Sequence, residues 1–341
     1  KSPFPKGISI RFLCKIHDSM FFSTHRPSWF SRIIAPLSPL YALLRFLHGT
    51  FWLRTGIHDP KHLLPLVVIG SLRAGGAGKT AVVLELARRL KSQRLRVAIL
   101  AYRIQKNANP ALLFEVTSNM DWKQCSDEAV LLARESGMRV FVTRNREHAW
   151  DALSRSNEFD VLISDDGLMD PRLRNAFRIV LKRPEENPGI FDLLPAGPYR
   201  LTSSFLKEAD CVVLGPSNET GSDSAWFRRE LIFPKGFDFE KKYWAVCGMG
   251  NPTDFVRDLR YARVHLAGIS HGPNHALPEL DRVWRQAERC GVKRVVCSAK
   301  DWIKLESSPI SGSVDVIGEH MELGPGLLNA VKKYLASHAS S

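Results

Sequence analysis

Short runs of aliphatic and β-branched residues recur along the chain, separated by longer stretches in which apolar positions return every three or four residues. Leu66–Ile69, Arg96–Leu100, Arg139–Val142, Phe159–Ile163, Phe177–Leu181 and Cys211–Leu214 predict strands, and Ala81–Leu90 and Glu128–Glu135 predict helices between them. Short β-branched runs separated by helices imply a parallel sheet with right-handed crossovers. The polar loop Ser217–Asp223 and a Pro/Gly-containing stretch near 231–242 interrupt the pattern. It then resumes with strands at Tyr243–Cys247, Val264–Leu266 and Val295–Cys297 and a helix at Glu279–Arg289. The expected class is α/β, with a mostly parallel sheet flanked by helices and a second, smaller α/β domain. The divisions expected are residues 1–35 as an N-terminal extension, 36–235 as the larger domain and 236–341 as the smaller one.

One segment breaks the alternation. Ser38-Pro39 reads as a helix N-cap followed by proline at the first helical position. Leu40, Leu43, Leu44, Leu47 and Phe51 then recur at helical spacing, with Arg45, His48 and Arg54 between them. Charge sharpens its meaning. The 341 residues carry a formal +13, and residues 1–64 contribute nine Lys/Arg against two Asp, so +7 of the surplus lies in the first fifth. A basic arm around an aromatic, apolar helix points to an anionic surface, and two fates are open to the helix: lying in a membrane interface or packing on the protein's own core. Nucleic acid is the other anionic surface, but no nucleic-acid-binding module is present, so none is expected as partner. No stretch reaches the ~20 apolar residues of a transmembrane helix, and the N-terminus lacks a signal-peptide layout. The six cysteines are scattered without a zinc-type spacing, which fits a reducing compartment.

The chemistry begins after the first strand. Gly70-Ser71-Leu72-Arg73-Ala74-Gly75-Gly76-Ala77-Gly78-Lys79-Thr80 leads directly into a helix. Glycines let backbone N–H groups approach phosphate, and a helix N-terminus offsets its charge. Gly75, Gly76, Ala77 and Gly78 are therefore expected to cradle the phosphates of ATP, Lys79 to reach the β- and γ-phosphates, and the Thr80 hydroxyl to ligate Mg2+. The strict GxxxxGK[ST] pattern is broken at its first glycine, where Arg73 stands. The strand at 159–163 runs out into Ser164-Asp165-Asp166-Gly167. Ligands of open α/β sheets collect at strand C-termini, so Asp165 and Asp166 are candidate magnesium ligands, with a plain Asp-Gly turn as the alternative.

Taken in order, these segments resemble the tetraacyldisaccharide 4'-kinase family, the lipid A kinases, over roughly residues 36–305. Pro36-Leu37-Ser38-Pro39-Leu40-Tyr41 is similar to the family's N-terminal helix start, and the family's own phosphate loop lacks the first glycine. Ser126-Asp127-Glu128-Ala129-Val130-Leu131-Leu132-Ala133 resembles its GDEPxLLA segment. Asp165-Asp166-Gly167 resembles its DDG motif, and Leu193-Leu194-Pro195-Ala196-Gly197-Pro198-Tyr199-Arg200 its LLPAGPLR. Gly248-Met249-Gly250-Asn251-Pro252 resembles GIGNP, and Lys300-Asp301 with Lys304-Leu305 resembles TEKDxxKL.

The resemblance implies a P-loop fold and ATP-dependent phosphorylation of the 4'-hydroxyl of an acylated glucosamine disaccharide 1-phosphate, in lipid A biosynthesis. The place implied is peripheral, at the cytoplasmic face of the bacterial inner membrane, with the lipid surface as partner. It implies Asp127 as the base that takes the hydroxyl proton, His275 as its partner across the cleft, Arg146 beside the phosphates, and Glu128 with Thr80, Asp165 and Asp166 on the magnesium side. Read without the family, Asp127 is a helix N-terminal acid and His275 a loop histidine. The sequence also departs from the pattern. The family's SRGYG is here Ala101-Tyr102-Arg103-Ile104-Gln105, the acid expected after Arg200 is Leu201, DDGxQH has become Asp165-Asp166-Gly167-Leu168-Met169-Asp170, and Asn274 replaces the Asp before His275. An active kinase with altered metal geometry is the first reading. Three others stand beside it: a P-loop enzyme acting on another small hydroxyl substrate, a weakened relative, and a non-catalytic scaffold that binds nucleotide.

Overall fold

The computed structural model describes residues 29–54, 64–102, 113–216, 224–248, 252–272 and 276–339. His275, Asn274 and Arg103–Gln105 lie outside these residues. Helices α1 (Trp29–Ile34) and α2 (Leu37–Arg54) precede a sheet built from β1 (Leu66–Ser71), β2 (Val97–Tyr102), β3 (Phe114–Val116), β4 (Arg139–Thr143), β5 (Val161–Asp165), β6 (Phe177–Lys182) and β7 (Cys211–Leu214). Helices α3 (Lys79–Ser92), α4 (Asp127–Ser136) and α5 (Arg146–Ser156) make the crossovers. The strand order is β3-β4-β2-β5-β1-β6-β7, with every pairing parallel except β3 on β4. The loop after β1 therefore emerges at the centre of the sheet, between the ends of β5 and β6.

The second sheet joins β8 (Phe227–Ile232), β9 (Lys242–Cys247), β10 (His265–His271), β11 (Val295–Ser298) and β12 (Val314–Leu323) in the order β10-β9-β11-β12-β8. Helices α6 (Thr253–Tyr261), α7 (Leu280–Arg289) and α8 (Ala299–Leu305) flank it. β8 runs antiparallel to β12, so residues 227–232 pair within the second sheet although they precede position 236. The last helix, α9 (Pro325–Ala339), lies C-terminal to the second sheet but returns to the first. Its Leu327 and Val331 complete the core beneath β1 and β6, and Tyr334 stacks on Phe177 at 4.9 Å. An apolar helical stripe is buried wherever the complementary face lies, irrespective of chain order.

Both faces of the first sheet are covered, which explains the uninterrupted apolar strands. Val67, Ile69, Ile99 and Ile163 meet α3, α4 and α9, while Leu66, Val68, Leu100 and Leu162 meet α5 and Leu201. Met321 and Phe227 of the second sheet join the first of these clusters, so the two sheets share a core at the phosphate-loop end. Ion pairs reinforce the junction: Arg134 is bidentate to Glu306 at 2.8 Å for both bonds, and Arg183 pairs with Asp254.

Helix α2 is oriented the opposite way from a packed amphipathic helix. Ser38 is fully buried and donates its hydroxyl to Leu193 O at 2.7 Å, and Tyr41, Ala42 and Arg45 are half-buried on the same side. At 100° per residue, Leu40, Leu43, Leu44 and Leu47 fall on the far side. Together with Leu37 and Phe46 they are 48–68% exposed. The helix thus turns its small and polar positions to the protein and its large apolar ones outward. Among the described residues, no helix is long and apolar enough to cross a membrane.

The turn that receives Ser38 is close-packed. A Cβ at Gly197 would lie 2.0 Å from the carbonyl oxygen of Asp192. Gly197→Ala is accordingly expected to lower stability by about 1–3 kcal/mol, the cost of forcing a backbone shift in a packed region, read as a fall in the urea midpoint.

Candidate active site

The site is built where β1 meets α3. Gly75, Gly76 and Gly78 have φ of 83°, 69° and 74°, the left-handed region that side chains disfavour. Gly78 is the N-cap of α3 and brings no side chain, so the first-turn N–H groups of the helix face the loop as an anion site. Arg73, at the position of the missing glycine, is a structural brace. Its Nε lies 3.0 Å from Glu186 Oε1, both side chains are buried, and its guanidinium stacks over the Tyr199 ring at 5.3 Å. The segment 193–200 runs along the loop: the Ala74 N–H donates to Pro198 O at 2.8 Å, and the Arg200 N–H to Leu72 O at 2.7 Å.

Two acids from the end of β5 face this loop in different ways. Asp166, in a left-handed turn at φ 66°, accepts from Lys79 Nζ at 3.1 Å and Arg200 Nη1 at 3.0 Å. Burial pushes its carboxyl up, but Lys79, Arg200 and Arg146 outweigh that and hold it at about 2. Asp165 accepts from the Thr80 hydroxyl, at 2.9 Å. Burial, together with the nearby Glu128 carboxylate, pushes it up to about 7 against the pull of Lys79 and Thr80.

A second pair of acids arrives on α4, whose N-cap Ser126 accepts from the Ala129 N–H at 3.1 Å. Asp127 and Glu128 occupy its first turn, where the helix dipole favours them. Each meets a lysine of α8 from the second domain: Lys304 Nζ is 2.6 Å from Asp127 Oδ2, and Lys300 Nζ is 2.6 Å from Glu128 Oε1. Burial raises the Asp127 carboxyl, but Lys300 and Lys304 prevail and hold it below its ordinary value. Lys300 is itself raised, because Glu128, Asp127 and Asp165 outweigh the cost of burying it. Behind them Asp301 is fully buried and accepts from Ser298 Oγ at 3.0 Å. Arg146 opens α5 with its guanidinium over the Tyr102 ring at 5.1 Å, and its buried Nε has no hydrogen-bond partner among the described residues.

The tertiary structure thus gathers Gly75–Thr80, Asp127, Glu128, Arg146, Asp165 and Asp166 at one end of the first sheet. His275 lies outside the described residues. Leu201, where an acid was expected, is buried in the apolar cluster with Leu72, Leu168 and Phe205. Arg200, Lys300 and Lys304 stood in the matched motifs without a role assigned from sequence, and here they are the cations that hold the acids. Glu186 carried no sequence signal, since its partner Arg73 is 113 positions away.

A magnesium ion fits the Thr80–Asp165 pair. A hydroxyl and a carboxylate are hard oxygen donors, and Asp165 is an acid withdrawn from water beside another acid, without an ion pair of its own among the described residues. Among those residues no group of three His, Cys, Asp or Glu converges as in an all-protein metal cage. Magnesium characteristically completes its shell with phosphate and water instead.

A glycine-rich loop leaving the central strand of a parallel sheet, with acids at the end of the neighbouring strand, makes this a P-loop nucleotide-binding protein. A profile of the tetraacyldisaccharide-1-P 4'-kinase family matches residues 30–335, and the chain belongs to that family. The tetraacyldisaccharide 4'-kinase of Haemophilus influenzae is 29% identical over 303 residues, covering 82% of this chain and 87% of its own. That of Alcanivorax borkumensis is 30% identical over 263 residues, 72% and 76% of the two chains. LpxK of Aquifex aeolicus, solved in complex with ATP, superposes with a TM-score of 0.64 at 21% identity, covering 90% of this chain and 99% of its own.

Two expectations follow from the buried charges. Arg73→Met leaves Glu186 buried without its partner and should cost about 3–5 kcal/mol in denaturant unfolding, most of it recovered by adding Glu186→Met. Asp165 titrates at about 7 folded against 3.8 for the free group. Its protonated form therefore stabilises the fold fully below that lower value, and the contribution is lost as pH rises through 7. In metal-free protein, Asp165→Asn should raise Tm relative to wild type at about pH 8 and converge with it towards pH 4.

Proposed function

We propose that this kinase transfers the γ-phosphate of ATP to the 4'-hydroxyl of tetraacyldisaccharide 1-phosphate, with Asp127 as the base, at an anionic membrane surface. The observation that carries the assignment is the placement of Asp127. Its carboxylate is buried, is held below its ordinary pKa by Lys300 and Lys304 of α8, and adjoins Glu128, whose charge reaches Asp165 at the end of β5. An ionised carboxylate there can accept a hydroxyl proton as the phosphoryl group moves. A base held below its ordinary pKa suits a loose transition state, in which the proton leaves late.

The phosphates would lie on the N–H groups of Gly75–Thr80. Lys79 now pairs with Asp166, and it can exchange that carboxylate for the β- and γ-phosphate oxygens. Arg200 remains to hold Asp166, and Arg146 has donor capacity free to meet charge on the transferred group. Thr80 and Asp165 would hold Mg2+, with Glu128 and Asp166 beside them. When bound, the ion supplies neutralisation of the charge that builds on the phosphate oxygens. His275 is assigned to the cleft as partner of Asp127 on the family pattern.

The outward-turned Leu and Phe residues of α2, together with the basic surplus of residues 1–64, support peripheral attachment to anionic lipid at the cytoplasmic face of the inner membrane. The same surface would present an acylated substrate to the cleft.

Transfer of labelled γ-phosphate to tetraacyldisaccharide 1-phosphate tests the assignment. Asp127→Ala should lower kcat about 10²–10⁴-fold, the usual contribution of a general base, with KM for ATP little changed. No product from wild type would overturn the kinase reaction, and equal rates would overturn the base.

A further inference from the structure

A short turn beside α2 carries two exposed apolar side chains that the phosphoryl-transfer chemistry does not use. In Ile190–Asp192, Phe191 is 61% exposed and Ile190 43%. We propose that Ile190 and Phe191 form a second lipid-contacting element, which enters the bilayer interface beside α2 and joins the membrane to the phosphate loop.

Three observations carry this. First, the exposure is held by structure. The Gly189 N–H donates to Asp192 Oδ2 at 2.7 Å and closes the turn, and the Leu194 N–H and Tyr199 O pair at 2.8 Å just behind it. A firmly closed turn that points Ile-Phe outward holds apolar area in water, which soluble surfaces favour only where something covers it.

Second, the turn lies against the start of α2. The buried Ser38 hydroxyl donates to Leu193 O at 2.7 Å, next to the turn, while Leu37 and Leu40, close to Ser38 in the chain, are about half exposed. Exposed apolar side chains of both elements therefore lie near one another. Third, the charge selects the occupant. Residues 1–64 carry nine Lys/Arg against two Asp, the complement of an anionic phospholipid surface rather than of an apolar protein groove. Interfacial elements combine basic residues with Phe and Leu.

The consequence reaches the site. Residues 193–200 run from this turn to the phosphate loop, where Pro198 O accepts from Ala74 and Tyr199 packs on Arg73. A turn seated in lipid thus positions the strand that braces the loop.

The inference rests on the membrane attachment proposed above, and one set of measurements separates the two. Full-length wild type, Ile190→Ser/Phe191→Ser and Phe191→Trp are mixed with vesicles of phosphatidylethanolamine and phosphatidylglycerol, and partitioning is read by sedimentation. The double variant should partition about tenfold or more weakly, given the apolar area removed, with Tm and ATP affinity unchanged. Phe191→Trp should be quenched by brominated acyl chains beyond the quenching of wild type. Wild type that fails to partition overturns the membrane attachment and this element with it. Wild type that partitions, with the double variant equal to it, or with no added quenching at position 191, overturns this element alone.

Discussion

The structure turns on pairing the carboxylates at the end of the first sheet. Asp127, Glu128 and Asp166 crowd together there, and each is met by a cation from another part of the chain. Lys79 and Arg200 serve Asp166, Lys300 serves Glu128, and Lys304 serves Asp127. A buried acid without such a partner is costly, so the positions of these cations are constraints on the fold as much as on the chemistry. Asp165, which accepts from the Thr80 hydroxyl and has no ion pair among the described residues, is the exception, and burial together with the Glu128 carboxylate pushes it up to about 7. The destabilisation sits beside the phosphate loop, where function and stability make different demands.

Because two of the four cations come from α8, the second domain is part of the site rather than an appendage. The pair Arg134–Glu306 fixes α8 against α4, while the shared apolar cluster around Met321 and Phe227 and the pair Arg183–Asp254 join the second sheet and α6 to the first. The other side of the loop is fixed from within the first domain. The brace of Arg73, Glu186 and Tyr199 takes over a turn position that other phosphate loops give to glycine, and it ties the loop to the segment that also receives α2. Loop, acids and helix α2 are thereby one connected unit.

Much of this was legible beforehand, and for identifiable reasons. Buried parallel strands carry short β-branched runs, so β1, β2, β4, β5, β6, β7, β9 and β11 stood out, and β10 by its first residues. Three strands did not. β3 is three residues long, while β8 and β12 carry Arg, Glu and His along partly exposed positions, and their pairing is antiparallel at a distance in sequence. Helix α5 passed unnoticed because its buried residues are only Ala149, Trp150 and Leu153 in a charged stretch. The phosphate loop and paired aspartates were legible because their chemistry is local. Glu186, and the roles of Arg200, Lys300 and Lys304, were not, because a partner for charge is chosen by three-dimensional proximity.

Helix α2 divides the two kinds of knowledge most clearly. Its spacing of Leu and Phe and the basic surplus around it were enough to establish a helix seeking an apolar or anionic neighbour, although it begins at Leu37 and Ser38 spends its hydroxyl on Leu193 O instead of a cap. Which way it faced could not be read, since an apolar stripe has the same pattern whether it meets a core or a lipid. The sequence by itself determined the alternation of elements, the phosphate-binding loop, the acids beside it and the family. The tertiary structure decided the facing of α2, the return of α9 to the first sheet and the cation assigned to each acid. These are contacts between residues far apart in the chain, set by what remains unpaired once the local structure has formed.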